Sequence, residues 1–305
     1  MKRAVSISIG SSRRDKVVEA ELLGQQISFE RVGTDGDMQK AAGLYRELDG
    51  VVDAFGVGGT DLGLMVDGHW YRLHSVKSLI KDVKKTPVAD GTGIKVTVEK
   101  HAARVLEEHP QAAPAQKRVL MMSGVDRYGL LRAFVDAGYE TLIGDLMFSL
   151  GLPFPIRTDR ALKRLASILI PIVARLPFEW VYPTGEKQGQ RKPKYEEAFK
   201  WASVVAGDCH YITRYMPDDM EGKIVVTNTT TPADRKLFRD CGVKYLITTT
   251  PMLGDRTFGT NVLEAGILAA WGRKEPLDYT RPGDYFIEME KTVKALNIRP
   301  QFQEL

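Results

Sequence analysis

The run VLMMSGVDRYGLLRAFVDAGYETLIGD, residues 119–145, decides how the chain is read. Val119–Met122 is a short apolar run, the mark of a buried strand, and Ser123-Gly124 breaks it. Leu130, Leu131, Phe134, Val135 and Ala137 then recur at helical spacing. Gly138 suits the left-handed C-cap that ends a helix, and Thr141–Ile143 starts a second strand closed by Gly144-Asp145. Strand, helix and strand in this order form the opening of a parallel sheet with a right-handed crossover.

The turn inside that unit has generic chemistry. Backbone N–H groups at a helix start favour a phosphate or carboxylate, and glycine lets such a group approach closely. Ser123, Gly124 and Gly129 are therefore candidate cofactor contacts. Asp145 stands where a dinucleotide fold places the acid that bonds a ribose, and it would favour NAD over NADP by repelling a 2′-phosphate. The spacing Gly124-x-x-x-x-Gly129 keeps two of the three expected glycines, and Asp126 would repel a pyrophosphate if it pointed inward. An ordinary βα turn would use the same residues.

Outward from this unit the chain alternates apolar strands, small or acidic loops, and helices. Ala4–Ile9 is a strand. Lys16–Leu22 and Gln25–Val32 pair as a hairpin around Gly24, and a second hairpin turns at Asp67-Gly68. Asp37 is placed to cap a helix over Met38–Leu48, and Pro232 fits the first turn of Pro232–Asp240. A helix is expected to run from the Asp90–Lys95 loop through Glu107. The Ala/Pro-rich stretch from His109 to Lys117 has no apolar period, which gives an N-terminal α/β domain over 1–110, a linker over 111–117 and a second domain over 118–305. The fold expected is two α/β domains with mainly parallel sheets, the second Rossmann-like.

Composition narrows the function. The 305 residues are 43% hydrophobic and 27% charged, with a net charge of +4, which is an ordinary globular balance. No long basic tract stands out, so nucleic acid is not implied. The most hydrophobic helix candidate, Leu165–Ala174, is interrupted by Pro171 and is too short to span a bilayer. Cys209 and Cys241 have no metal or redox spacing, so they read as buried thiols in a reducing cytoplasm. The five histidines show no metal spacing. The partner expected is a small molecule, with neither nucleic acid nor membrane; a homo-oligomer is left open.

Ligands of open α/β sheets bind beyond the carboxyl ends of the strands. Two loops there carry candidate acid–base groups: Asp90 with Lys95 in DGTGIK, and Asp208 with His210 in GDCH. Arg157 and Lys187 are candidates for holding a ligand carboxylate, and Asn228 and Thr229 for its hydroxyls. A tight turn or a solvated face would use the same residue types. There is no Gly-x-Ser-x-Gly elbow, no His-Glu-x-x-His and no Tyr-x-x-x-Lys pair of short-chain dehydrogenases.

The segments SIGSSRRD (8–15), ERVGTDGD (30–37), DAFGVGGTDL (53–62), SGVDRYGL (123–130), GDLMFSLGLPFPIRT (144–158), AGDCHYITRYMPD (206–218), KIVVTNTTTP (223–232) and TFGTNVLEA (257–265) resemble a family of bacterial proteins known as quinate 5-dehydrogenase. The resemblance implies an NAD(P)-dependent oxidoreductase acting on a small polyhydroxylated cyclic acid. It transfers no catalytic lysine, because Asn228-Thr229-Thr230-Thr231-Pro232 is followed by Asp234 where the shikimate dehydrogenase loop has its lysine. A non-redox transferase binding a nucleotide or phosphorylated substrate, and a ligand-binding sensor, are the alternative functions.

Overall fold

The computed structural model describes residues 1–176, 191–253, 256–257, 259–275 and 277–305. The chain divides into two compact units, each built from separate stretches of sequence. Unit 1 is Met1–Ile94, Ile170–Lys187 and Phe258–Leu296; unit 2 is Lys95–Leu169, Gln188–Thr257 and Asn297–Leu305. Both are α/β with mostly parallel sheets, as the strand–helix alternation predicts.

Unit 1 contains β1 (Lys2–Ser8), β2 (Lys16–Leu22), β3 (Gln25–Gly33), β4 (Ala54–Gly58), the side hairpin β5 (Gly63–Val66) and β6 (His69–Arg72), and β7 (Val88–Ala89). Its five-stranded sheet has the order β2-β3-β1-β4-β7. β1 lies parallel between β3 and β4, with Ala4 opposite both Phe29 and Ala54, while β2 is antiparallel to β3. Both expected hairpins form, since Gly24 and Gly68 supply the positive φ their turns require. Asp37 caps the helix Met38–Leu48 by accepting from the Gln39 and Lys40 N–H groups.

The helix Thr260–Trp271 is buried on nearly every face and belongs to unit 1. A methyl group on its Gly266 would lie 2.1 Å from the Phe29 ring, so only glycine lets this helix pack so close to β3. An apolar, all-round buried helix of this kind carries no amphipathic signal to say which sheet it covers. This is why chain order placed it with the second domain.

Unit 2 contains β8 (Arg118–Met121), β9 (Glu140–Ile143), β10 (Val204–Gly207), β11 (Ile224–Thr227), β12 (Tyr245–Thr248), the short pair β13 (Met252–Leu253) and β14 (Arg256–Thr257), and β15 (Gln301–Glu304). Its main sheet has the order β15-β12-β11-β10-β8-β9. β9, β8, β10, β11 and β12 are parallel, and β15 closes the edge antiparallel to β12. Numbered along the chain, the parallel strands run 2-1-3-4-5, a doubly wound order whose direction of winding reverses between β8 and β10. Leu120, Val205, Val225 and Leu246 from the strands pack with Phe199, Ile212 and Phe238 from the helices.

Three local expectations change. The segment 111–117 lies within unit 2 and is packed against it: the Tyr245 hydroxyl donates to Gln111 O at 3.0 Å and Glu140 N to Lys117 O at 2.7 Å. The helix expected to reach Glu107 is broken into Thr92–Thr97, a tight 3-10 turn at Glu99–His101, and Ala102–Glu107. Pro171 lies inside the helix Asp159–Val173, which runs on through it instead of being interrupted there. No helix among the described residues is long and apolar enough to cross a membrane.

Candidate functional site

In unit 2 the loops after β8 and β10 diverge where the strand order reverses, the generic ligand position of such sheets. Arg127, in the loop after β8, spans the gap. Its guanidinium is almost fully buried; it donates through Nη1 to Glu99 Oε1 and through Nη2 to Asp208 Oδ2 at 3.0 Å. Asp208 is the N-cap of the helix Cys209–Tyr215, and its Oδ1 accepts from His210 N at 2.9 Å. Its Oδ2 also accepts from Asn228 Nδ2 at 2.8 Å, at the end of β11. Asn228 is fixed in that orientation because its Oδ1 accepts from Cys209 N and the Thr227 hydroxyl. The Thr249 hydroxyl, beyond β12, donates to Glu99 Oε1 at 3.3 Å. Beside this network Lys95 Nζ meets Asp126 Oδ1 at 2.6 Å.

Burial and charge set the protonation of these groups. Burial raises the Glu99 carboxyl above its ordinary range, and the cations Arg127 and Lys95 only partly oppose it. Burial also raises Asp208, but the charges of Arg127 and His210 pull it further down, so it is held ionised. The Tyr211 hydroxyl is pushed up to about 12 by burial and by the negative charges of Asp126 and Asp208. The Asp126 and Asp208 side chains keep 25% and 24% of their exposure, so both remain reachable by a solute. Glu99 Oε2 and Thr248 Oγ1 are buried with no hydrogen-bond partner among the described residues.

The glycine turn after β8 is occupied by the protein itself. Asp145 Oδ2 accepts from Gly124 N at 2.7 Å, and its Oδ1 from Val125 N at 3.0 Å and from the Ser123 hydroxyl at 3.3 Å. The amides and hydroxyl expected to meet a phosphate are thus given to an internal carboxylate, and Asp145 is turned into the turn rather than toward a ribose. A methyl on Gly124 would strike the side chains of Leu162 and Ile143 at 2.8 and 2.9 Å, and one on Gly129 would strike Lys95 O at 2.7 Å. Both glycines serve close packing of the chain on itself. Asp126 points to Lys95, away from this turn. The residues present do not fit a dinucleotide pyrophosphate at this position.

Two family profiles match the chain, a domain of unknown function (DUF8753) over residues 3–90 and a domain of unknown function (DUF8754) over residues 93–305. The chain belongs to the DUF8754 family. No curated protein matches it. Solved structures that resemble it include a galactofuranose binding protein, 14% identical over 97% of this chain and 99% of that one, TM-score 0.36. An NAD-dependent malic enzyme from Thermotoga maritima is 13% identical over 90% of this chain and 73% of that one, TM-score 0.36. A solute binding protein from Bacillus halodurans with bound myo-inositol is 9% identical over 95% of this chain and 98% of that one, TM-score 0.34. Likenesses this distant transfer neither activity nor ligand.

Within the DUF8754 region the structure brings together Lys95, Asp208 and Asn228, with His210 exposed at the start of the Asp208-capped helix. Thr229 is partly exposed in the loop after β11. Lys95 pairs with Asp126 instead of Asp90, because Asp90 Oδ2 and Oδ1 are taken by Leu62 N and Thr92 N. Arg157 does not lie at the carboxyl edge: Ile156 pairs antiparallel with Ile143, so Arg157 runs back toward the start of β9, where Thr141 Oγ1 donates to its carbonyl. Lys187 lies outside the described residues. No group of three metal-ligating side chains is found among the described residues.

Glu99, Arg127, Thr249 and Tyr211 were not singled out from sequence. Glu99 follows Lys95 by four residues, one helical turn, and Arg127 follows Asp126 in the decisive turn; that pairing of charges at both places was the available signal.

Proposed function

We propose that the DUF8754 region binds a small, uncharged, polyhydroxylated molecule at the carboxyl edge of unit 2, and that the Lys95–Asp126 pair exchanges a proton with one of its hydroxyls. The observation that carries this is Asp208, fixed by Arg127 and Asn228 at the reversal of strand order and still partly exposed. A carboxylate clamped in this way is a ready acceptor for ligand hydroxyls. Both cations of the cluster, Lys95 and Arg127, are already paired with carboxylates, so the site has no surplus positive charge to recruit an acid or a phosphate. Lys95 Nζ and Asp126 Oδ1 lie 2.6 Å apart beside the exposed carboxylate edge, a donor and an acceptor within reach of the same ligand hydroxyl.

The quinate 5-dehydrogenase resemblance would require a nicotinamide and a ligand carboxylate at the same edge. The Asp145-filled turn disfavours the first, and the paired cations disfavour the second.

Thermal shift and titration calorimetry with neutral monosaccharides and cyclic polyols, quinate, shikimate, NAD and NADP separate these readings. A ligand at about a hundred times its dissociation constant adds roughly 2.7 kcal/mol to the folded state. A neutral polyol is expected to raise the midpoint, and Asp208→Asn to abolish that response. A response to NAD or NADP, with none to any neutral polyol, would overturn the proposal in favour of the dehydrogenase.

A further inference from the structure

Unit 1 holds a second charged cluster, whose carboxyl groups are both buried. Glu264, on the helix Thr260–Trp271, is 0% exposed and receives donors from two other segments. Gly93 N, in the first turn of the helix Thr92–Thr97, reaches both of its oxygens at 3.1 Å. The Tyr279 hydroxyl donates to Oε1 at 2.8 Å, and the Tyr285 hydroxyl donates to the same oxygen. Gly93 is tight against this carboxyl: a methyl there would lie 2.6 Å from Oε1. Asp90, 2% exposed in the loop after β7, faces it with a second carboxyl group. Arg273 lies over the Tyr285 ring, 5.8 Å from its centroid. Trp70 packs on Tyr279, ring centroids 4.7 Å apart.

We propose that Glu264 is a proton switch of unit 1: losing its proton sets two carboxylates against each other in a buried cluster and loosens the turn Asp90–Thr92, and regaining the proton tightens it. The chemistry is that of two acids sharing a site, where one remains protonated until the pH is well above its ordinary range. Burial and the charge of Asp90 raise Glu264 to about 7, against the hydrogen bonds of Tyr285, Tyr279 and Gly93, which favour its ionised form. The proton is thus gained and lost near neutrality. Ionisation strengthens the bond from Gly93 N but sets Asp90, which holds Leu62 N and Thr92 N, against Glu264, so the change is read at Asp90 and the amides beside it.

Hydrogen exchange of residues 90–92 in the full chain, corrected for intrinsic rates, tests this between pH 6 and pH 8.5. In the native sequence, protection is expected to fall at least tenfold across this range. In Glu264→Gln, which keeps a neutral acceptor for Gly93 and the tyrosines, it is expected to stay constant. Asp90→Asn, used if that variant does not fold, removes the opposing charge and is expected to move the midpoint downward in pH; a midpoint that stays or rises would overturn the proposal. Carbon NMR of the Glu264 carboxyl gives a second reading, with a midpoint between 6 and 8 expected. Constant protection in the native sequence, an unchanged pH response in Glu264→Gln, or a carboxyl midpoint below 5 would overturn the proposal.

Discussion

The Arg127 guanidinium meets the Asp208 carboxylate at 3.0 Å across the point where the strand order of unit 2 reverses. The same guanidinium holds Glu99, so one side chain ties the loops after β8 and β10 to the turn at Glu99–His101. Replacing Arg127 with Met leaves Glu99 buried without its cation. Breaking such a pair from one side costs about 3–5 kcal/mol. Denaturant unfolding should show that loss for Arg127→Met, and recovery of a good part of it in Arg127→Met/Glu99→Gln. An equal loss in both variants would mean that packing, not charge, accounts for it.

Asp145 satisfies two backbone donors and one hydroxyl in the turn after β8. Asp145→Ala leaves the Gly124 and Val125 amides without their acceptor, a cost of about 1–3 kcal/mol. Asp145→Asn keeps one acceptor oxygen and should lose less. The ordering of the two midpoints in chemical denaturation is the check.

Gly91 has φ +98°, and a methyl group there would lie 2.2 Å from Thr260 Oγ1 and 2.9 Å from Asn261 N. Gly91→Ala combines backbone strain with collision against the start of a buried helix. The expected loss is roughly 2 kcal/mol or more. Thermal unfolding of this variant beside Gly138→Ala separates the two causes. Gly138 has φ +77° but open space around its Cβ, so it should lose only the strain component.

Glu264 makes stability depend on pH in a defined direction. Its folded value, about 7, is above the ordinary 4.5, so between these limits the folded chain binds more proton than the unfolded chain. Stability from this group is therefore fully present below about pH 4.5 and falls as pH rises toward 7, by on the order of 3 kcal/mol. Calorimetric midpoints of the native sequence minus those of Glu264→Gln should decrease from pH 5 to pH 7.5. A difference that is flat or rises with pH would contradict the raised value.

Where a motif needed only neighbours in sequence, it was legible. The N-cap at Asp37 bonds Gln39 and Lys40, and Thr231 with Asp234 forms a reciprocal capping box at the helix started by Pro232. The strand ends carrying Asp208 and Asn228 were also legible, because an apolar run followed by a polar cap marks where a parallel strand stops. The close approaches were misread. Gly124 and Gly129 accommodate Leu162, Ile143 and the Lys95 carbonyl and not a ligand; nothing in their spacing distinguishes the two. β15 was missed because Gln301–Glu304 is short, mostly polar and partly exposed; its one apolar side chain, Phe302, packs on Tyr245 of β12 and on His109.

The sequence by itself determined the α/β alternation, the mainly parallel sheets, both hairpins and the helix caps, since these follow from periodicity and local hydrogen bonding within a few residues. Tertiary structure alone decided that the helix Thr260–Trp271 belongs with β1, β3 and β4, that Asp145 closes its own turn, and that Lys95 pairs with Asp126. Those outcomes depend on which buried surfaces and charges meet across long stretches of chain. Local periodicity does not encode that choice, because a buried apolar helix and a solitary acid each have many equivalent partners until the fold brings one of them within reach.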